Sequence, residues 1–197
     1  MDPTLLLVSG VGDAQGARGA AGALACAASS PDQAAVLVDL GARHSRPTLI
    51  SSIAASKLED AIAGLSSEYA PTARGQLCHL ALPPESRSLA ALALVAETHL
   101  QDSCLVTHLS HELLLAVVHE RVLQPDGVLL RADLPSDRKL VAKTIRDLMR
   151  ADVPVAILGR RLSWIAERRA LFGVLPADAP GGLSGEVVSR LLPAFHG

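Results

Sequence analysis

Aromatic residues are nearly absent from this chain: two Phe, one Tyr and one Trp in 197 residues. A core without large rings must be filled by aliphatic side chains. Alanine, leucine and valine supply nearly all of the 49% hydrophobic content. Such a core suits helices that cover a parallel sheet, whose strands are buried on both faces. Cysteine is equally sparse. Cys26, Cys78 and Cys104 are scattered and odd in number, with no Cys-x-x-Cys pair, which excludes a disulfide framework and a thiol-based metal or redox motif. Charge is short on both sides, with a formal net of −2 and no basic tract, so a dedicated nucleic-acid surface is not expected. No apolar stretch reaches about 18 residues without a charge, which argues against a membrane-spanning helix. The Met-Asp-Pro start lacks the basic region of a signal peptide. A cytoplasmic protein is the expectation, and a length of 197 residues suits one α/β domain spanning residues 1–197.

What is present is organised around the first thirty residues. Leu5–Val8 is an apolar run ending in Ser9-Gly10, followed by the small-residue stretch Val11-Gly12-Asp13-Ala14-Gln15-Gly16-Ala17-Arg18-Gly19 and an alanine-rich segment, Ala20 to Ala28. The order reads as strand, glycine loop and helix from about Gly19 to Ser29. In parallel α/β proteins that junction holds phosphates and dinucleotides. The loop has glycines without the accompanying chemistry. A Walker A loop needs Gly-x-x-x-x-Gly-Lys-[Ser/Thr]. Here Gly10 to Gly16 is one residue too long, no lysine occurs before Lys57, and no hydroxyl follows Gly16 within the loop. The dinucleotide pattern is also incomplete, since Gly10-x-Gly12 is followed by Gln15 where the third glycine belongs.

Further along, strand-like and helix-like segments alternate. Ala34–Leu40 is a second strand with Asp39 near its end. Gln76–Leu82, Ser103–Leu109, Val128–Leu130 and Val155–Gly159 are later strands, and Leu171–Leu175 adds a peripheral one. Helices are predicted over Thr48–Leu65, Ser88–Glu97, His111–Val122, Arg138–Arg150 and Leu183–Leu192, with Val141, Ile145, Leu148 and Met149 as the inner face of the fourth. The fold class is therefore α/β: a three-layer αβα sandwich with a mainly parallel sheet of six or seven strands.

The whole-chain order resembles the MinD/ParA group of deviant Walker ATPases. Leu6-Leu7-Val8-Ser9-Gly10 with Gly16-Ala17-Arg18-Gly19-Ala20-Ala21 looks like that family's first strand and glycine-rich loop. Val36-Leu37-Val38-Asp39-Leu40 looks like its second strand and terminal aspartate, and Gly127 to Pro176 like its final third. The resemblance implies a P-loop NTPase-like fold, a dimerisation habit and a place in cell division, chromosome partition or appendage assembly. By position, the family's signature lysine falls near Val11, its general Walker lysine near Arg18 or Gly19, its magnesium-binding hydroxyl near Ala20 and its Walker B aspartate near Thr107 or His108. Each of those groups is missing. Gly159-Arg160-Arg161 lies where the family has a base-contacting asparagine.

The resulting expectation is a non-catalytic, homodimeric scaffold or regulatory partner, more a pseudo-ATPase than an enzyme, with no required cofactor or metal. The alternative is a protein that binds ATP, ADP or a dinucleotide through Gly10, Gly12, Gly16, Arg18, Gly19 and Asp39, with Arg160 and Arg161 as further anion contacts. Two other constellations are weaker. Ser9, Asp39 and His108 supply the residue types of a hydrolytic triad, without the Gly-x-Ser-x-Gly elbow. His108, His111 and His119 lie close in sequence, but Leu115 interrupts any His-Glu-x-x-His motif, and eight residues place His111 and His119 roughly 80° apart on a helix. Trp164 among Arg160, Arg161, Arg168 and Arg169 reads first as a solvated amphipathic helix and second as a basic partner-binding patch.

Overall fold

The computed structural model describes residues 4–12, 14–29, 32, 34–40, 70–71, 76–81, 103–121, 123–132, 138–159 and 174–176. In chain order they form β1 (Thr4–Val11), α1 (Ala14–Ala28), β2 (Ala34–Asp39), β3 (Ala70–Pro71), β4 (Gln76–Ala81), β5 (Ser103–Leu109), α2 (His111–Glu120), β6 (Gly127–Ala132), α3 (Arg138–Arg150), β7 (Val155–Gly159) and β8 (Val174–Pro176). Among the described residues the strands make one sheet in the order β3-β4-β2-β5-β1-β6-β7-β8. Neighbours are parallel except the two-residue β3, which runs antiparallel to β4.

Period-two alternation divides each central strand between two layers. Leu6 and Val8 of β1, Cys104 and Val106 of β5, Leu129 of β6 and Ala156 and Leu158 of β7 pack with Ala17, Ala20, Ala21, Leu24 and Ala25 of α1. The intervening residues, including Leu5, Leu7, Val11, Leu105, Leu109 and Leu130, pack with Leu114 and Val117 of α2 and Ile145 and Leu148 of α3. This is an α/β sandwich with a parallel sheet, consistent with a P-loop NTPase-like fold. Helices predicted over 48–65, 88–97 and 183–192 lie outside the described residues.

Three local expectations need correction. The first helix begins at Ala14, five residues before the predicted start, leaving Gly12 and Asp13 between strand and helix. Ala14, Gln15, Ala17 and Arg18 are strong helix formers, and their combined preference carries the helix through Gly16 and Gly19. Gly12, at φ 78°, makes the sharp reversal in a conformation that glycine adopts without steric cost. The second helix stops at Glu120 instead of Val122, because Arg121 turns left-handed at φ 51° and donates its N–H to the Val117 carbonyl. Finally, Met149 is not on the inner face of α3. It is 48% exposed, while Val141, Thr144, Ile145 and Leu148 point inward.

Polar groups fix the elements where hydrophobicity alone would not. Asp126, just before β6, receives the Leu5 N–H on Oδ2 at 2.7 Å and donates its own N–H to the Leu5 carbonyl at 2.9 Å. This reciprocal pair satisfies the backbone of β1 where β6 has not yet begun. Ser110 caps α2, its hydroxyl accepting from the Leu113 N–H at 3.3 Å. Among the described residues no helix is long and apolar enough to cross a membrane.

Candidate functional site

The parallel order brings the carboxyl ends of β2, β5, β1 and β6 side by side at one edge of the sheet, and the β1–α1 turn leaves from that edge. In open α/β sheets this is where ligands bind. Register then decides which side chains meet. Asp39 of β2 stands opposite His108 of β5, and the Leu40 N–H donates to the His108 carbonyl at 2.8 Å, extending the pairing one residue further. Both side chains lie on the α1 face and both are buried.

The pair is a specific hydrogen bond. His108 Nδ1 is 2.9 Å from Asp39 Oδ1. A carboxylate only accepts, so Nδ1 carries the proton. The other carboxylate oxygen, Oδ2, lies 2.6 Å from Nε of Arg18 on the first turns of α1, an ion pair by distance rather than an aligned hydrogen bond. Arg18 stays 52% exposed at its side chain, whereas Asp39 is 1% exposed. A buried carboxylate is thus neutralised by a cation that reaches in from solvent, the arrangement a buried charge requires. On the other side of β1, Arg131 of β6 is 2% exposed and places Nη1 3.4 Å from the Gly16 carbonyl. Sheet edge and helix start are therefore joined by arginines on both flanks of β1.

The remaining predicted residues separate from this cluster. Gly10, Gly12, Gly16 and Gly19 belong to the end of β1, the turn and the first turns of α1. Arg160 and Arg161 lie outside the described residues. Ser9 is excluded from a triad with Asp39 and His108 by the strand period. It falls between Leu7 and Val11, which face α2 and α3, whereas His108 follows Cys104 and Val106, which face α1. Thr107, a candidate for the Walker B position, also faces the α2 side, between Leu105 and Leu109. Ser9 Oγ and Thr107 Oγ1 are buried there without a hydrogen-bond partner among the described residues.

The histidines do not converge either. His111 Nε2 is 2.6 Å from Thr144 Oγ1, and that hydroxyl donates onward to the Leu140 carbonyl at 2.9 Å. His111 therefore donates from Nε2. Its pKa is lowered from the ordinary 6.5, chiefly by burial; Glu112 opposes the shift and Lys143 adds to it. His119 is exposed at the other end of α2. No group of three or more metal-ligating side chains occurs among the described residues.

No protein-family model matches the chain, and no curated protein matches its sequence. The fold carries the likeness that remains: a parallel α/β sheet consistent with the broad P-loop NTPase superfamily. In the sequence Arg18 and Asp39 read as two of the contacts to a bound nucleotide. The triad reading puts Asp39 with His108, and the structure joins those two without Ser9. The pairing of Asp39 with Arg18 was not legible, because it depends on a helix that starts early enough to hold Arg18. A pocket of about 250 Å³ lies at the opposite edge of the sheet, between the carboxyl ends of α2 and α3, with Val118, Arg121, Leu123, Pro125 and Val153 among its walls.

Proposed function

We propose that this chain is a non-catalytic relative of the MinD/ParA ATPases, acting as a scaffold or regulatory partner in division, partition or appendage assembly. The observation that supports this most is the closed charge cluster at the β1–α1 corner. Arg18 lies 2.6 Å from one oxygen of Asp39, and His108 lies 2.9 Å from the other. A phosphate-binding site keeps its cation for phosphate and its carboxylate for magnesium or ribose. Here cation and carboxylate neutralise one another. Between β1 and α1 only Gly12 and Asp13 remain, a short span in which to wrap a phosphate. The carboxyl end of β5 offers Thr107 and His108 in place of a carboxylate, and neither substitutes for one on a hard cation.

The same cluster weighs against the nucleotide-binding alternative, because Asp39 is hydrogen-bonded to His108 through one oxygen and ion-paired with Arg18 through the other. Homodimerisation belongs to this proposal through the family resemblance alone. Sedimentation should show a species of twice 20.5 kDa; a monomer at high concentration removes that part of it. The catalytic claim is tested by magnesium-dependent phosphate release from ATP and GTP. Release at the buffer background is expected. Turnover by the pure protein that disappears in Arg18→Ala or Gly12→Ala would overturn the proposal.

A further inference from the structure

Helix α3 carries five cationic side chains, Arg138, Lys139, Lys143, Arg146 and Arg150, against the single carboxylate of Asp147, a formal +4 in a chain whose total is −2. Its buried side is Val141, Thr144, Ile145 and Leu148. Lys139, Lys143, Arg146 and Arg150 are all exposed. Their spacing of four, three and four residues sets them in one line along the helix, about 16 Å long and directly opposite the buried side. Neighbouring cations at these spacings weaken a helix. Among the described residues the ion pair on this helix is Asp147–Arg150, at 3.8 Å, and it touches only the last member of the line.

Two exposed apolar residues accompany the cations: Leu140, 41% exposed, near the amino end, and Met149, 48% exposed, near the carboxyl end. At 100° per residue they sit roughly 90° to either side of the cationic line. A flat bilayer or a convex duplex resting on the crest leaves both flanks in water. A concave surface covers crest and flanks together. We infer that α3 is a docking ridge for an acidic groove on a protein partner, with carboxylates on its floor facing the cationic line and apolar walls receiving Leu140 and Met149.

The inference extends the scaffold reading and rests on it for the class of partner. The two fail separately, because α3 and the β1–α1 corner lie on opposite faces of the sheet. The test is binding of the full chain to four probes at one salt concentration: a glutamate–tyrosine copolymer, polyglutamate, a short DNA duplex and phosphatidylserine vesicles. The copolymer is expected to bind most tightly. Lys139→Glu/Lys143→Glu/Arg146→Glu should weaken it at least about tenfold, and Leu140→Ser/Met149→Ser should abolish the preference for copolymer over polyglutamate. All five positions are exposed, and circular dichroism checks that each variant folds. Tighter binding to duplex or vesicles, copolymer binding that ignores the charge reversal, or a charge reversal whose effect is loss of self-association would each overturn the inference.

Discussion

Thr107 holds a hydroxyl in a fully buried position with no hydrogen-bond partner among the described residues. Leaving such a group unsatisfied costs about 1–3 kcal/mol, whereas an apolar group of the same shape has nothing to satisfy. Thr107→Val should therefore leave stability unchanged or raise it by up to about 1 kcal/mol in denaturant unfolding. A large loss would mean that the hydroxyl is hydrogen-bonded in the folded protein. His111 gives a pH prediction. Its lowered pKa means that the unfolded chain binds the proton more readily than the folded one. Its stabilising contribution is complete above the unfolded value of about 6.5 and is lost as pH falls from there through the lowered folded value. His111→Gln should flatten this part of the stability profile, measured by urea unfolding across the window. Cys104 is a third case. Burial, helped by the charge of Asp126, pushes its thiol up to about 12, so it should resist alkylation in the folded protein at mildly alkaline pH, while the exposed Cys26 reacts. Peptide mapping by mass spectrometry separates the two.

At the scale of elements, the helices show where sequence reasoning succeeds and where it stops. The central strands were legible because each is a short apolar run buried on both faces, as parallel strands are. The start of α1 was not legible, because glycines at positions 12, 16 and 19 look alike in sequence. Only the first takes a left-handed turn; Gly16 and Gly19 lie within the helix. Gly22 had a similar ambiguity. In so alanine-rich a helix a glycine could mark close approach to the sheet, yet a β-carbon at Gly22 would meet nothing within 4 Å. Gly22→Ala should then stabilise α1 by about 0.5–1 kcal/mol through backbone entropy alone. That corresponds to a rise of about 1–4 °C in Tm for a chain of this size. A fall in Tm would reveal a packing role that the geometry excludes. The inner face of α3 was read correctly at Val141, Ile145 and Leu148 and incorrectly at Met149, which lies a quarter turn outside it.

For the whole molecule, the sheet order accounts for the site. It sets β5 between β2 and β1, which brings His108 against Asp39, and it sets Arg131 across β1 from them. Residue types at Gly10, Gly12, Arg18 and Asp39 suggested a nucleotide corner; the missing lysine and carboxylate suggested that it does not work. Neither observation could give the pairing of Arg18 with Asp39, because ion pairs depend on three-dimensional placement that local sequence patterns do not encode. This pairing occupies the corner. Thermal unfolding with and without millimolar Mg-ATP tests it most directly, since a ligand at 100 times its Kd stabilises a protein by about 2.7 kcal/mol. The Tm of the wild-type chain is expected to stay unchanged. A Tm that rises with Mg-ATP, and does so no longer in Arg18→Ala, would show that Arg18 holds phosphate and would contradict it.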